Sequence, residues 1–252
     1  TPGTANNVTG VVEYANNIPF LQYPLADRLS AQLDGKKVYI ENDANAAAKA
    51  EAIAGVAAGA PISVMITLGT GVGGGIIIDG KVYTGFNFAG AELGHVVIQK
   101  DGRQCSCGRK GCWEAYSSAT GLVNITKDHI LEARAAGNKT IMDDMIGGDL
   151  SKVSARTAFN AMKQGDEVGA QVVDEYISYL ACGIVNMINI FQPEVLSIGG
   201  GISNEGQYLL DLVTPRVREQ QYGTGLVPMP DIRIAKLRND AGIIGAAVLG
   251  MK

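Results

Sequence analysis

The clearest chemistry in the sequence lies in a short run of soft metal ligands. His95, Cys105, Cys107 and Cys112 follow the spacing His-x9-Cys-x-Cys-x4-Cys. One imidazole and three thiolates complete a tetrahedral zinc site of the Cys3His type and leave no position open for a substrate. A zinc ion held there is structural, so reacting groups must be sought elsewhere. Gly102, Gly108 and Gly111 let the loop fold around a metal. Three cysteines within eight residues suit a metal better than a disulfide framework, whereas Cys182 stands alone in an apolar helical stretch and reads as core.

The second candidate group is Asn42-Asp43, placed where an apolar, β-branched segment turns into an alanine-rich helix. Side chains there point out of the carboxyl edge of a sheet, where α/β proteins bind ligands. The dipeptide alone leaves two readings open, a catalytic carboxylate or a helix cap. Two glycine clusters complete the set. Gly69-Thr70-Gly71-Val72-Gly73-Gly74-Gly75 follows a strand and offers backbone N–H groups able to nest phosphate oxygens, with the Thr70 hydroxyl beside them. It lacks the Gly-Lys-Ser/Thr ending of a Walker loop, and a purely structural turn remains the alternative. Gly199-Gly200-Gly201 also follows a strand, and read alone it is equally a helix-entry turn.

The elements that must position these groups alternate between strand and helix. Strands are expected at 37–41, 62–68, 76–78, 81–84, 194–198 and 232–235, with Asp79-Gly80 as a hairpin turn. Helices are expected at 44–54, 117–136, 153–163, 205–220 and from 241 onward, together with a long one over 167–191 interrupted at Gly183 and ended by Pro193. The pattern is that of an α/β protein. His129 reads as an ordinary surface or packed histidine, and Trp113 as an anchor beside the metal loop.

The chain of 252 residues is long enough for one large domain or two lobes. Its net charge of −4 is scattered, so no role in binding nucleic acid is expected. The apolar runs fall well short of the ~20 residues that cross a bilayer, so no membrane role is expected and a cytoplasmic location is the simplest reading.

Four segments, Glu41-Asn-Asp-Ala-Asn-Ala-Ala-Ala, Leu68-Gly-Thr-Gly-Val-Gly-Gly-Gly, Ala91-Glu-Leu-Gly-His and Cys105-Ser-Cys-Gly-Arg-Lys-Gly-Cys-Trp-Glu, occur in the order in which they occur in the ROK family of sugar kinases and repressors. The chain resembles that family over essentially its whole length. The resemblance implies an α/β, actin-like (ribonuclease H-like), two-lobed sugar kinase fold with an incomplete small lobe. Residues 1–60 would be the remainder of that lobe, 61–238 the large lobe with the zinc loop at 95–112, and 239–252 a helix returning to the small lobe. It further implies ATP-dependent phosphorylation of a hexose, glucose first. Asp43 would be the general base, with Asn42, Glu92, His95 and Glu114 holding sugar hydroxyls. Gly69, Thr70 and Gly71 would meet the phosphates, and Gly199, Gly200 and Gly201 the adenosine side. Zn²⁺ is implied as a structural ion, Mg²⁺ as the companion of ATP, and a homodimer or homotetramer as the assembly. A phosphate-binding segment of the form Asp-x-Gly-Gly-Thr is expected ahead of Pro2-Gly3, and without it these residues alone are expected to be inactive. A sugar-sensing repressor, and kinases for N-acetylmannosamine, fructose or allose, are the alternatives that the resemblance leaves open.

Overall fold

The computed structural model describes residues 1–15 and 18–250, so the last two residues of the expected 239–252 segment lie outside the described residues. Strands β1 (Thr4–Asn6), β2 (Val11–Tyr14) and β3 (Leu21–Tyr23) form an antiparallel sheet in that order, and helix α1 (Leu25–Gln32) follows. Ala5, Val12, Ala15, Ala26 and Ile40 make its small core. These short elements were not legible as a pattern, because strands of three or four residues give too little alternation to read.

The expected strand at 37–41 forms no ladder among the described residues. The segment is extended beside the first residues of the chain and bonded only at its end: the Thr1 amino group donates to the Glu41 carbonyl at 3.0 Å, and the Asp43 N–H donates to the Thr1 carbonyl at 3.0 Å. Its β propensity is real, but two bonds to one residue do not make a strand pair.

Helix α2 (Asp43–Ala54) then leads to β4 (Ile62–Leu68), β5 (Val72–Ile78) and β6 (Lys81–Val82). After the metal loop come α3 (Glu114–Ser117), α4 (Ala119–Ala135), α5 (Ile141–Ile146), α6 (Thr157–Lys163) and α7 (Glu167–Phe191). The chain continues through β7 (Val195–Gly199), α8 (Gln207–Gln220), β8 (Asp231–Ile234) and α9 (Asp240–Ala247). Strands β4, β7 and β8 run parallel, β5 and β6 join antiparallel, and the sheet order is β6-β5-β4-β7-β8.

Period-2 geometry sorts the sheet residues onto two faces. Val64, Ile66, Leu68, Ile76, Leu196, Ile198 and Ile232 join the large core built around α4, α7 and α8. Met65 and Ile77 face the other way, into a cluster with alanines of α2 and with Ala235 and Ala241. Covered on both sides, β4 reads as an unbroken apolar run, as buried strands do.

Helix α7 runs without a break through Gly183, contrary to the expected interruption, because Gly183 makes room for a neighbouring side chain. It ends at Gln192 in the left-handed conformation, just before Pro193, as expected. Helix α8 starts at Gln207 rather than 205, since Gly206 at φ 63° breaks the 3-10 turn that precedes it.

Two close approaches fix α2. Glycines face its alanines across the sheet: a Cβ on Gly75 would lie 2.5 Å from the Ala48 Cβ, and one on Gly73 would lie 3.1 Å from the Ala44 Cβ. On its outer side α9 packs so tightly that a Cβ on Gly245 would meet the Ala46 carbonyl oxygen at 1.9 Å. The buried Glu51 carboxylate adds a polar tie, accepting the N–H of Val56 at 2.8 Å and of Leu237 at 2.7 Å. The first turn of α2 is thereby seated at the carboxyl edge of β4.

Candidate active site and metal centre

Asn42 caps α2. Its Oδ1 accepts the N–H of Ala44 at 2.9 Å and of Asn45 at 3.1 Å, while its Nδ2 donates to the Gly3 carbonyl at 3.1 Å. Asp43 is the first helical residue and is exposed; its Oδ1 shares the Ala44 N–H at 3.0 Å. The capping alternative therefore belongs chiefly to Asn42, and the Asp43 carboxylate faces open space with its second oxygen free to take a proton. Glu41 supports the turn from beneath: its buried carboxylate accepts from the Asn42 N–H, from Asn45 Nδ2 and from Asn7 Nδ2 at 3.0–3.2 Å. Nothing in the spacing singled out that supporting role.

A 3-10 turn, Leu93–His95, presents Glu92 and His95. It sits flush on β5, for a Cβ on Gly94 would lie 2.2 Å from the Val72 carbonyl oxygen. The Glu92 carboxyl is pushed above its ordinary value mainly by desolvation; His95 opposes the shift, and the negative charges of Asp43 and Glu114 add to it. Residue 92 is exposed as a whole, so its carboxyl end is the sheltered part. Asp43, Glu92, His95 and Glu114 thus come close enough to feel one another's charge, although they come from three separate stretches of sequence.

Glu114 opens α3, where its Oε2 accepts the Val72 N–H at 3.0 Å and its Oε1 accepts the Ser106 hydroxyl at 3.2 Å. Gly71 must lack a side chain here, since a Cβ would lie 2.3 Å from Glu114 Oε2. The carboxylate is therefore tied to the glycine turn on one side and to the metal loop on the other.

The glycine turn is shorter than expected. Strand β5 begins at Val72, so Gly73, Gly74 and Gly75 are ladder residues whose missing side chains admit α2 and Leu93, and only Gly69, Thr70 and Gly71 remain as a turn. The turn is braced by α4: Ala119 N–H donates to the Gly69 carbonyl at 2.8 Å, and the Thr120 hydroxyl donates to the Thr70 carbonyl at 2.9 Å. Thr70 is exposed, and nothing stands within 4 Å of a Cβ built on Gly69. In the parallel neighbour β7, Gly199 pairs with Thr67, which places the second glycine turn beside the first. Gly200, at φ 82°, lies so close to Leu68 that a Cβ would meet its backbone at about 2.5 Å; Gly201 is open.

His95, Cys105, Cys107 and Cys112 gather with their ligand atoms all within 4.8 Å of one another. All four cysteines are free thiols. Cys105 Sγ lies 3.6 Å from His95 Nδ1, and Cys107 Sγ lies 3.7 Å from Cys112 Sγ. Ligands about 2.0–2.3 Å from a zinc ion stand roughly 3.5–3.8 Å apart at tetrahedral angles, so these separations fit the ion. Burial and then the neighbouring thiols push Cys112 up to about 12, a penalty that a thiolate-binding cation removes. Gly111, at φ 79°, lets the loop close against the Gln99 carbonyl. His129 lies apart from all of this, 2.8 Å from Glu175, and Cys182 is half-buried on α7.

Comparison with known proteins agrees with this arrangement. The ROK family matches residues 1–252. A glucokinase of Thermotoga maritima is 36% identical over 251 residues, covering 98% of this chain and 76% of that protein. A crystal structure of a ROK family glucokinase from Streptomyces griseus, in complex with glucose and AMPPNP, superposes with a TM-score of 0.86 at 34% identity, covering 98% of this chain and 78% of that one. A xylose repressor of Caldicellulosiruptor bescii is 26% identical, and the chain spans 60% of it. The mixed α/β architecture is the actin-like fold of the ROK sugar kinases, and the chain belongs to the ROK family.

Proposed function

We propose that this chain performs ATP-dependent phosphorylation of a hexose, glucose first, with Asp43 as the general base. One observation carries the reading: the exposed Asp43 carboxylate shares one cleft edge with Glu92, His95 and Glu114, beside the Gly69-Thr70-Gly71 turn. Asp43 would take the proton of the sugar's 6-hydroxyl as it attacks the γ-phosphorus, and Asn42, Glu92, His95 and Glu114 would hold the other hydroxyls. Carboxylates, an amide and an imidazole suit that task, because a buried polar site rejects a sugar that leaves them unpaired. Gly69, Thr70 and Gly71 would meet the phosphates and Gly199, Gly200 and Gly201 the adenosine. Mg²⁺ would accompany ATP, since phosphoryl transfer depends on positioning and charge neutralisation.

His95, Cys105, Cys107 and Cys112 would hold a structural zinc. With Nδ1 turned to the thiols, His95 is left with Nε2 for a sugar hydroxyl, and the metal fixes its tautomer and ring plane. The division into 1–60, 61–238 and 239–252, a homodimer or homotetramer, and a cytoplasmic location belong to the same reading; among the described residues no helix is long and apolar enough to cross a membrane.

The test is a coupled ADP-release assay of the full-length protein with glucose, N-acetylmannosamine, fructose and allose. Turnover with glucose supports the proposal and the best substrate of the panel sets the specificity. Calorimetric sugar binding without ADP release from any of them overturns it in favour of a sensor.

A further inference from the structure

The sequence contains one tryptophan, Trp113, and it stands between the thiol of Cys112 and the carboxylate of Glu114. It is fully buried. Its backbone N–H donates to the Val96 carbonyl at 2.8 Å, and Cys112 bridges to Val97, so the same residue is clipped to the segment that follows His95. Displacing Trp113 displaces a metal ligand, a sugar-site carboxylate and the anchor of the imidazole together.

What sets the depth of the indole is a gap in α7. A Cβ built on Gly183 would come within 1.9 Å of Trp113 Cε2, 2.2 Å of Cδ2 and 2.4 Å of Nε1. The ring occupies the space of a side chain at position 183. Gly183 shows no left-handed φ, so the requirement is for space alone, and it overrides the preference of a helix interior for other residues. The buried indole N–H finds no acceptor among the described residues; the ring is retained for its shape rather than for a bond. Two helical turns earlier on the same side of α7, the Tyr176 hydroxyl donates to the Ser117 carbonyl at 2.9 Å and fastens the other end of α3.

We propose that Gly183 is a positioning residue: its missing side chain is the socket for Trp113, which holds the metal loop and the Glu114 carboxylate as one body. The inference rests on the reading of Glu114 as a sugar ligand. It does not depend on contact between α7 and any substrate.

The experiment uses Gly183→Ala in the full-length protein, with glucose and ATP kinetics, zinc loss to a chelator, and the emission of the one tryptophan. Misplacing a positioned group by about 1 Å can cost on the order of 10²-fold. The glucose KM should therefore rise about tenfold or more while the ATP KM stays within about twofold. Zinc should leave faster and the Trp113 emission maximum should shift. Adding Trp113→Leu, which has no atoms at the Cε2 and Nε1 positions, should restore part of the glucose affinity. A variant that loses thermal stability but keeps the wild-type glucose KM and zinc retention overturns the proposal. If Gly183→Ala does not accumulate as folded protein, Trp113→Leu alone decides, since it empties the socket without overfilling it; unchanged glucose affinity and zinc retention there overturn the proposal as well. A wild type that binds zinc but turns over no sugar defeats the kinase reading instead, because zinc retention and Trp113 emission report on the socket without catalysis.

Discussion

Asn42 caps helix α2 for its neighbour Asp43: the Asn42 Oδ1 receives the Ala44 and Asn45 N–H groups at 2.9 and 3.1 Å. Stability and catalysis are thereby separable at adjacent residues. Asp43→Asn keeps size and hydrogen-bonding reach but removes the basic oxygen, so kcat should fall by ~10²–10⁴. Melting temperature and glucose affinity should stay near wild type. Asn42→Ala should instead cost about 1 kcal/mol of stability. ADP release, calorimetry and thermal melts measure all three quantities. An Asp43→Asn enzyme that keeps more than about a tenth of wild-type kcat is incompatible with a general base there.

Glu92 gives a pH signature. Its carboxyl is held above the ordinary 4.5, first by desolvation and then by Asp43 and Glu114, against the opposing pull of His95. Between the ordinary and the raised value the folded state binds more protons than the unfolded one. The stability contributed by this group is therefore present below pH 4.5 and lost as pH rises through the folded value. Glu92→Gln stays neutral throughout. It should melt higher than wild type near neutral pH, and the difference should vanish below about pH 4.5, while glucose binding weakens. Paired melts across pH test the sign; a variant less stable than wild type at neutral pH contradicts it.

The metal set predicts one zinc per chain and a linked loss of sugar affinity when it goes. Cys112 is fully buried, and serine is a poor substitute for its thiolate. Cys112→Ser should purify with well under half an equivalent of zinc. Its glucose KM should rise by about 10–100-fold as His95 loses its fixed orientation. Metal analysis alongside kinetics checks both halves. Stoichiometric zinc in the variant, or a disulfide among Cys105, Cys107 and Cys112 in the wild type, rules out the assignment.

The sequence and the structure agree best where chemistry and geometry share a short segment. The metal loop could be read because its ligands are rare residue types in one run, and α2 and β4 because their patterns are long. The convergence of Asp43 with Glu92 and Glu114 has no local signal, since it arises from sheet order and from glycines opposite alanines. The buried Glu41 and Glu51 carboxylates and the Trp113–Gly183 pairing were invisible for the same reason: each joins distant residues through a space that only the packed chain defines. Gly73, Gly74 and Gly75 looked like loop, because a glycine that admits a helix has the same letter as one that admits a phosphate.

That last ambiguity yields a prediction separating the two kinds of glycine within one cluster. At Gly75 a Cβ would lie 2.5 Å from the Ala48 Cβ and 2.9 Å from the Ala44 carbonyl oxygen, neither of which is a flexible side-chain end. Gly75→Ala must push α2 away from the sheet, and overpacking of this kind costs about 1–3 kcal/mol. For a chain of this size that is a fall in melting temperature on the order of 5 °C. At Gly69 a Cβ meets nothing within 4 Å, so Gly69→Ala should melt like the wild type. If phosphate oxygens approach this turn, however, the new methyl group stands in their way. Losing one charge-assisted hydrogen bond, about 1.5–3 kcal/mol, raises the ATP KM roughly ten- to hundred-fold and leaves glucose affinity unaffected. Melts and ATP titrations of the two variants in the full-length protein decide the matter. Wild-type ATP KM in Gly69→Ala would remove the Gly69-Thr70-Gly71 turn from the nucleotide site, and wild-type stability in Gly75→Ala would refute the packing role of the glycines in β5.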